Sequence, residues 1–133
     1  MSLTNYARNK ANDKLFGAID YTPPANYYVA LSTTTISVSG SNCTEPVGSG
    51  YARVLLPNTK SYFTYSSSGS IVNSGSIVWP ISSGSWGTIT DISFYDAVSS
   101  GSIWMFTTLT SPYIVQNGTT ISFSASAINI SQQ

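Results

Sequence analysis

Few side chains in this sequence could act as acids, bases or nucleophiles, and their spacing restricts what they could do. The acids are Asp13, Asp20, Glu45, Asp91 and Asp96. Asp91 and Asp96 flank a strand-like run and lie an odd number of residues apart. On a regular strand that puts their side chains on opposite faces. A paired-carboxylate glycosidase would therefore need loops to bring them together. Asp20 and Glu45 could join either one around calcium, but no continuous loop has calcium-ligand spacing. There is no histidine. That removes the usual general base, the usual serine and cysteine triads, and most zinc sites. Cys43 is the single cysteine, so no disulfide forms within the chain. With no activating cation beside it in sequence, it reads as a buried or loop thiol rather than a nucleophile. The expectation is a protein with no catalytic residue, no metal and no cofactor.

Aromatic side chains offer a different chemistry. Trp79, Trp86, Trp104, Tyr62 and Tyr65 include candidate platforms for stacking sugars, on a chain rich in hydroxyls. Trp79 and Trp104 sit inside strand-like runs and read as core. Trp86 lies at a turn, between Gly84 and Gly87. It could anchor the entry to a strand, contact a neighbouring subunit or contact a glycan. Tyr62 and Tyr65 share the last two roles, so Trp86, Tyr62 and Tyr65 are the candidate interface or glycan contacts.

These residues need a scaffold, and the stretch 84–97 organises it. Ile89, Ser93 and Tyr95 share one parity; Thr88, Thr90, Ile92 and Phe94 share the other. Both sets hold apolar residues, which predicts a strand buried on at least part of both faces. The only helical pattern covers residues 2–16. Leu3, Tyr6, Ala7, Ala11 and Leu15 form one apolar stripe, Ser2 or Thr4 can cap the start, and Gly17 can stop it. A helix of about four turns is marginal alone. It either docks on its own sheet or joins subunits, and Leu3, Tyr6 and Leu15 are the candidate helix interface.

Pro23-Pro24 then forces an extended entry to a strand at 27–31. Residues 32–45 read as a long variable loop, with a short hairpin near 36–38. Further strands are expected at 51–56, 62–65, 71–72, 76–79, 103–109, 120–124 and 127–131. Asn117-Gly118 carries a hairpin signal. Ser-Gly-Ser units at 39–41, 68–70, 74–76, 83–85 and 100–102 are turn chemistry rather than a repeat. About eight or nine short strands, with no crossover helix after Gly17, favour an all-β fold. The expected architecture is an antiparallel β-sandwich, jelly-roll-like, with one N-terminal α-helix. It divides into a helix at 1–17, for docking or oligomerisation, and one β-sandwich domain at 18–133.

The composition supports assembly over catalysis. Of 133 residues, 40 are Ser or Thr, only 8% are charged, and the formal net charge is zero. Aromatics reach 13%, which is unlike a disordered chain. Neutral, weakly charged surfaces self-associate readily. Arg8, Lys10 and Lys14 are the only grouped cations, so nucleic-acid binding is not expected. No apolar run is long enough for a transmembrane helix, so no membrane partner is expected, and residues 1–6 lack a signal peptide's apolar region.

The order of motifs resembles a family of small tailed-bacteriophage virion proteins commonly labelled tail fibre or minor tail proteins. The match runs from Leu15-Phe16 through Tyr21-Thr22-Pro23-Pro24 and Tyr27-Tyr28-Val29-Ala30-Leu31-Ser32 to Glu45-Pro46 and Gly50-Tyr51-Ala52-Arg53. It continues through Asn73, residues 77–80, Ser85-Trp86-Gly87-Thr88-Ile89-Thr90, Phe94-Tyr95-Asp96-Ala97, Gly101, Leu109 and Asn117-Gly118. The resemblance implies a non-enzymatic structural subunit located in the virion, with other virion proteins as partners. It implies a homo-oligomer, by analogy a trimer, in the tail, fibre or baseplate region. A capsid decoration subunit and a module recognising a host surface glycan are the alternatives.

Overall fold

The computed structural model describes residues 1–131. The chain opens not with a helix but with a short strand, β1 (Ser2–Leu3), paired with Met105 and Phe106. Leu3 therefore belongs to the sheet, not to a helix interface. The switch from strand to helix is set by Thr4, which is fully buried. Its backbone N–H donates to Trp104 O at 3.0 Å and its hydroxyl to Ile103 O at 2.6 Å. The same hydroxyl accepts from Ala7 N–H, capping helix α1 (Asn5–Gly17). One threonine thus closes a strand and starts a helix.

At its other end α1 runs through Gly17, and Ala18 takes the left-handed conformation with φ 52°. Ile19 N–H then returns to Asp13 O at 3.1 Å. Only Ala7 of the helix is buried, while Leu15 is 70% exposed. The expected stripe docks only near its start, because among the described elements α1 touches β1 and the later strand β7 (Ile103–Val115) alone.

The main sheet has the order β1-β7-β6-β2-β3, with every neighbouring pair antiparallel. Its members are β2 (Asn26–Ser32), β3 (Val54–Pro57), β6 (Gly87–Tyr95) and β7 (Ile103–Val115). β6 is the middle strand, and Ile89, Ile92 and Phe94 on it are fully buried. Asp91 and Ser93 are buried beside them, so β6 is covered on both faces. Two short ribbons complete the chain: β4 (Ser70–Val72) with β9 (Asn129–Ser131), and β5 (Ile77–Val78) with β8 (Ser122–Phe123). Their neighbours Trp79, Ile121 and Ile128 share one core cluster with Leu31, Ile92 and Phe94. Among the described residues the fold is mostly antiparallel β with one N-terminal helix, and no sheet closes into a barrel.

Several local expectations change. Tyr62–Tyr65 is not a strand; Phe63 makes one isolated bridge to Asn73, and Thr64 and Tyr65 are irregular. β3 starts at Val54 because Tyr51 and Arg53 are turned aside into a polar network. Residues 36–38 form no hairpin; the loop there is tied by Gly40 N–H to Ser37 O and by Ile36 N–H to Asp91 Oδ2. Asn117-Gly118 does make a turn, with Gly118 at φ 82°, but the flanking strands pair elsewhere. β7 meets β6 while β8 meets β5.

β7 also runs on through Pro112. The register jumps from Ile89–Tyr113 to Asp91–Thr108, so residues 109–112 bulge out of the ladder. The proline lies within that bulge, where a missing N–H costs no ladder bond.

Asn73 ties the ribbons to the C-terminal segment from a fully buried position. Its amide donates to Gly75 O and Ser124 O, and its Oδ1 accepts from Ile128 N–H at 2.9 Å. Asn73→Ala removes three hydrogen bonds and leaves the buried Ile128 N–H without its acceptor. It should lower stability by about 2–4 kcal/mol, measured as the shift in the urea unfolding midpoint.

Candidate functional site

The acidic residues do not converge. Asp91 is fully buried in β6, where Oδ2 accepts from Ile36 N–H at 3.2 Å and from the Thr108 hydroxyl at 3.0 Å. It is a core residue rather than a solvated strand end. Its Oδ1 has no hydrogen-bond partner among the described residues. Asp96 starts the turn between β6 and β7. Its Oδ1 accepts from Ser102 N–H at 2.8 Å and its Oδ2 from Trp104 Nε1–H at 3.1 Å. Gly101 makes that turn feasible: φ is 82°, and a Cβ there would stand 2.5 Å from Asp96 Oδ1. Asp91 and Asp96 share no partner, so no acid–base pair is assembled. Among the described residues no group of three potential metal ligands forms. Cys43 is half-buried, with Sγ 3.8 Å from Ser93 Oγ.

The densest polar cluster surrounds Arg53. Its Nε and Nη2 donate to the Glu45 carboxylate, with Nη2 to Oε2 at 2.7 Å. Its Nη1 donates to Ala97 O at 2.7 Å and Ser100 O at 2.8 Å. The guanidinium also lies 3.5 Å over the Tyr95 ring. Tyr51 extends the cluster: its hydroxyl donates to Glu45 Oε1 at 2.8 Å and accepts from Leu31 N–H at 3.0 Å. Burial would lower the Arg53 pKa, but the hydrogen bonds and charge of Glu45 outweigh it and raise the value. Most of these polar groups already have protein partners. The cluster is built to hold segments together.

Trp86 belongs to the same frame. It is 3% exposed, its Nε1–H donates to Ser49 O at 2.9 Å, and its ring meets Tyr51 edge-on. Its faces are therefore not open to a sugar or a neighbouring subunit. Gly84 permits the approach of this segment to Ser49, since a Cβ on it would lie 2.5 Å from Ser49 Oγ. The remaining candidates separate. Tyr62 and Tyr65 are exposed on the 58–69 loop, with the Lys60 ammonium 5.0 Å over the Tyr65 ring. Leu15 lies beside Phe16, which is 86% exposed, with Ile19 just past the helix end.

Tyr6 turns the other way. With Lys10, Asp20, Tyr21, Asp96 and Trp104 it lines an open cleft of about 390 Å³. Sequence reading missed this group because its members come from a helix, an irregular segment and a turn. The hint was Asp20-Tyr21 standing just before Pro23-Pro24.

Three half-buried or buried phenols make the fold sensitive to alkali. Burial raises Tyr27 from 10.0 to about 12, helped by the charge of Tyr21 and Asp96. Burial likewise raises Tyr51, against the opposing bond from Leu31 N–H, and raises Tyr95, with the Cys43 hydrogen bond adding. Above pH 10 the unfolded chain sheds protons that the folded chain keeps. The stability from these groups is complete below that value and falls as pH rises further. Urea midpoints should hold up to pH 10 and drop above it, with phenolate absorbance appearing in two phases.

A family model described as Podophage GP4 fiber I protein gp80 matches residues 2–131. Comparison with curated proteins gives no match. The residues that carry the tail-protein resemblance, including Glu45, Tyr51, Arg53, Asn73, Trp86 and Asp96, sit inside the bonds just described. The chain therefore belongs to the podophage GP4 fiber I protein gp80 family and is a structural, fibre-like protein of the phage virion.

Proposed function

We propose that this chain is a non-enzymatic subunit that assembles with copies of itself, and with other virion proteins, in the tail, fibre or baseplate region. The observation that carries this reading is the far end of α1. Leu15, Phe16 and Ile19 are 70%, 86% and 60% exposed, on a helix anchored only near its start. Large apolar side chains grouped at one projecting point are interface chemistry. The zero net charge allows close neighbours without strong mutual repulsion. The β4–β9 and β5–β8 ribbons serve as the second layer of a sandwich-like body, sharing its core. Closed symmetry, such as a trimer, would bury each helix end against the next copy.

A decoration subunit on the capsid would use the same joint, so the joint alone does not choose between head and tail. Imaging of the virion at residue-resolving detail distinguishes them. Density for this fold on the tail supports the proposal, and density on the capsid lattice replaces it with decoration.

The joint itself is tested by the double variant Leu15→Ser, Phe16→Ser. Both positions are exposed, so fold stability should change by no more than about 0.5 kcal/mol. Light scattering should show the oligomer mass of the parent falling to that of one chain, with an unchanged circular dichroism spectrum. A parent that is already monomeric, or a variant oligomer of undiminished mass, would remove the helix end as the joint.

A further inference from the structure

We infer that Asn117 is a latent deamidation site which the fold guards through Ser82, so that a folded chain keeps this side-chain amide and an opened one loses it. Asparagine is a thermolabile residue, and most labile before glycine. Asn117 is the one asparagine of the sequence in that position. It is exposed, and its side chain makes no hydrogen bond among the described residues. The turn itself demands the glycine. Gly118 has φ 82°, a left-handed backbone that strains an L side chain, although a Cβ there would meet nothing within 4 Å. The same absence of a Cβ leaves the approach of the Gly118 nitrogen to Asn117 Cγ uncrowded.

The reaction needs only water and hydroxide. Hydroxide takes the Gly118 amide proton, and the nitrogen attacks Asn117 Cγ. The new N–Cγ bond closes a succinimide while the Cγ–Nδ2 bond breaks. Nδ2 takes a proton from water and leaves as ammonia. Water then cleaves one of the two ring C–N bonds. Cleavage at Cγ gives aspartate; cleavage at the backbone carbonyl gives isoaspartate, whose main chain runs through Cβ and Cγ. Nothing is oxidised or reduced.

In the folded chain the Gly118 nitrogen is withheld. Its N–H donates to Ser82 O at 2.8 Å. Ser82 is 1% exposed and binds both ends of the same turn. Its N–H donates to Thr119 O at 3.0 Å, its hydroxyl donates to Gln116 O, and its Oγ accepts from Thr119 N–H at 3.1 Å. Val115 and Ile121, buried on either side, anchor the segment in the core. The amide proton is therefore released only when residues 116–119 open, and the rate follows the population of that open form. Isoaspartate adds a backbone carbon between Gln116 and Thr119, which must both reach Ser82. The modified turn loses the spacing those bonds need, so the change disfavours refolding of the chain that opened.

The test incubates the full chain in neutral buffer at physiological temperature, folded and in denaturing urea. Peptide mapping follows deamidation, with isoaspartate scored by enzymatic methylation. In urea Asn117 should react before the other asparagines, and in the folded chain at least about tenfold more slowly. Hydrogen exchange of the Gly118 amide should be protected in the folded chain. Urea below the unfolding transition should speed exchange and deamidation together. Ser82→Ala removes the hydroxyl bonds but keeps the carbonyl that holds Gly118. It should speed both processes about tenfold, and the urea series on the parent carries the same test should that variant not fold. Chains aged in urea should refold with a lower urea midpoint in their isoaspartate fraction. Four results would each overturn the inference: equal rates in folded and unfolded chains, no preference for Asn117 in urea, exchange and deamidation that move independently, or an isoaspartate fraction with the parent's midpoint.

Discussion

Arg53 has a side chain only 7% exposed, and a charge so nearly dry stays stable only where its donors meet acceptors. Glu45 supplies the countercharge, two backbone carbonyls of the 97–100 turn take Nη1, and Tyr95 covers one face. The acceptors come from segments far apart in sequence, so the pair does more than neutralise charge. It fixes the end of the 33–50 loop, the approach to β3 and the β6–β7 turn against one another. Tyr51 adds the edge of β2 through Leu31 N–H. Losing Glu45 would typically cost about 3–5 kcal/mol, because Arg53 is left charged and buried.

The same constraint explains which features could be read from residues in order. Periodicity located β2, β6 and the start of β7, since these strands are buried by neighbours on both sides and must be apolar. The helix was recognisable from its stripe, but not its boundary. Thr4 makes its decisive bonds to Ile103 and Trp104, which local spacing does not contain. Tyr62–Tyr65 carried strand-forming residues yet stayed irregular, because its only ladder partner among the described residues is Asn73. Asn117-Gly118 made its turn but not a hairpin, since pairing was decided by distant β5. The interaction surfaces were the least visible. Leu15 was noted as part of a stripe, but its exposure follows from how little of α1 the sheet covers. The cleft beside Tyr6 was assembled only by folding.

Trp86 shows how one residue can change meaning with context. Glycines on both sides of an indole are compatible with a displayed ring. Here Gly84 instead lets Ser49 come close, and the indole N–H is used up on Ser49 O. The family-resembling residues thus describe a frame. The exposed groups that a partner could touch stand largely outside it, on the helix end, the 58–69 loop and the cleft beside Tyr6. A frame held by internal bonds leaves those surfaces free to change without unravelling the body.

The position of β6 also governs when this body can form. Its register joins Tyr28 to Tyr95 on one side and Met105 to Phe94 on the other. The strand at the centre of the sheet therefore recruits one neighbour from the first third of the chain and another from the last. A growing chain cannot add β7 until residues beyond 105 have emerged, and even the β2–β6 pair must wait for residues up to 95; such long loop closures slow folding. Until then β2 remains an apolar strand without its central partner, exposed to other nascent copies. The order of synthesis is itself a hazard for such a strand.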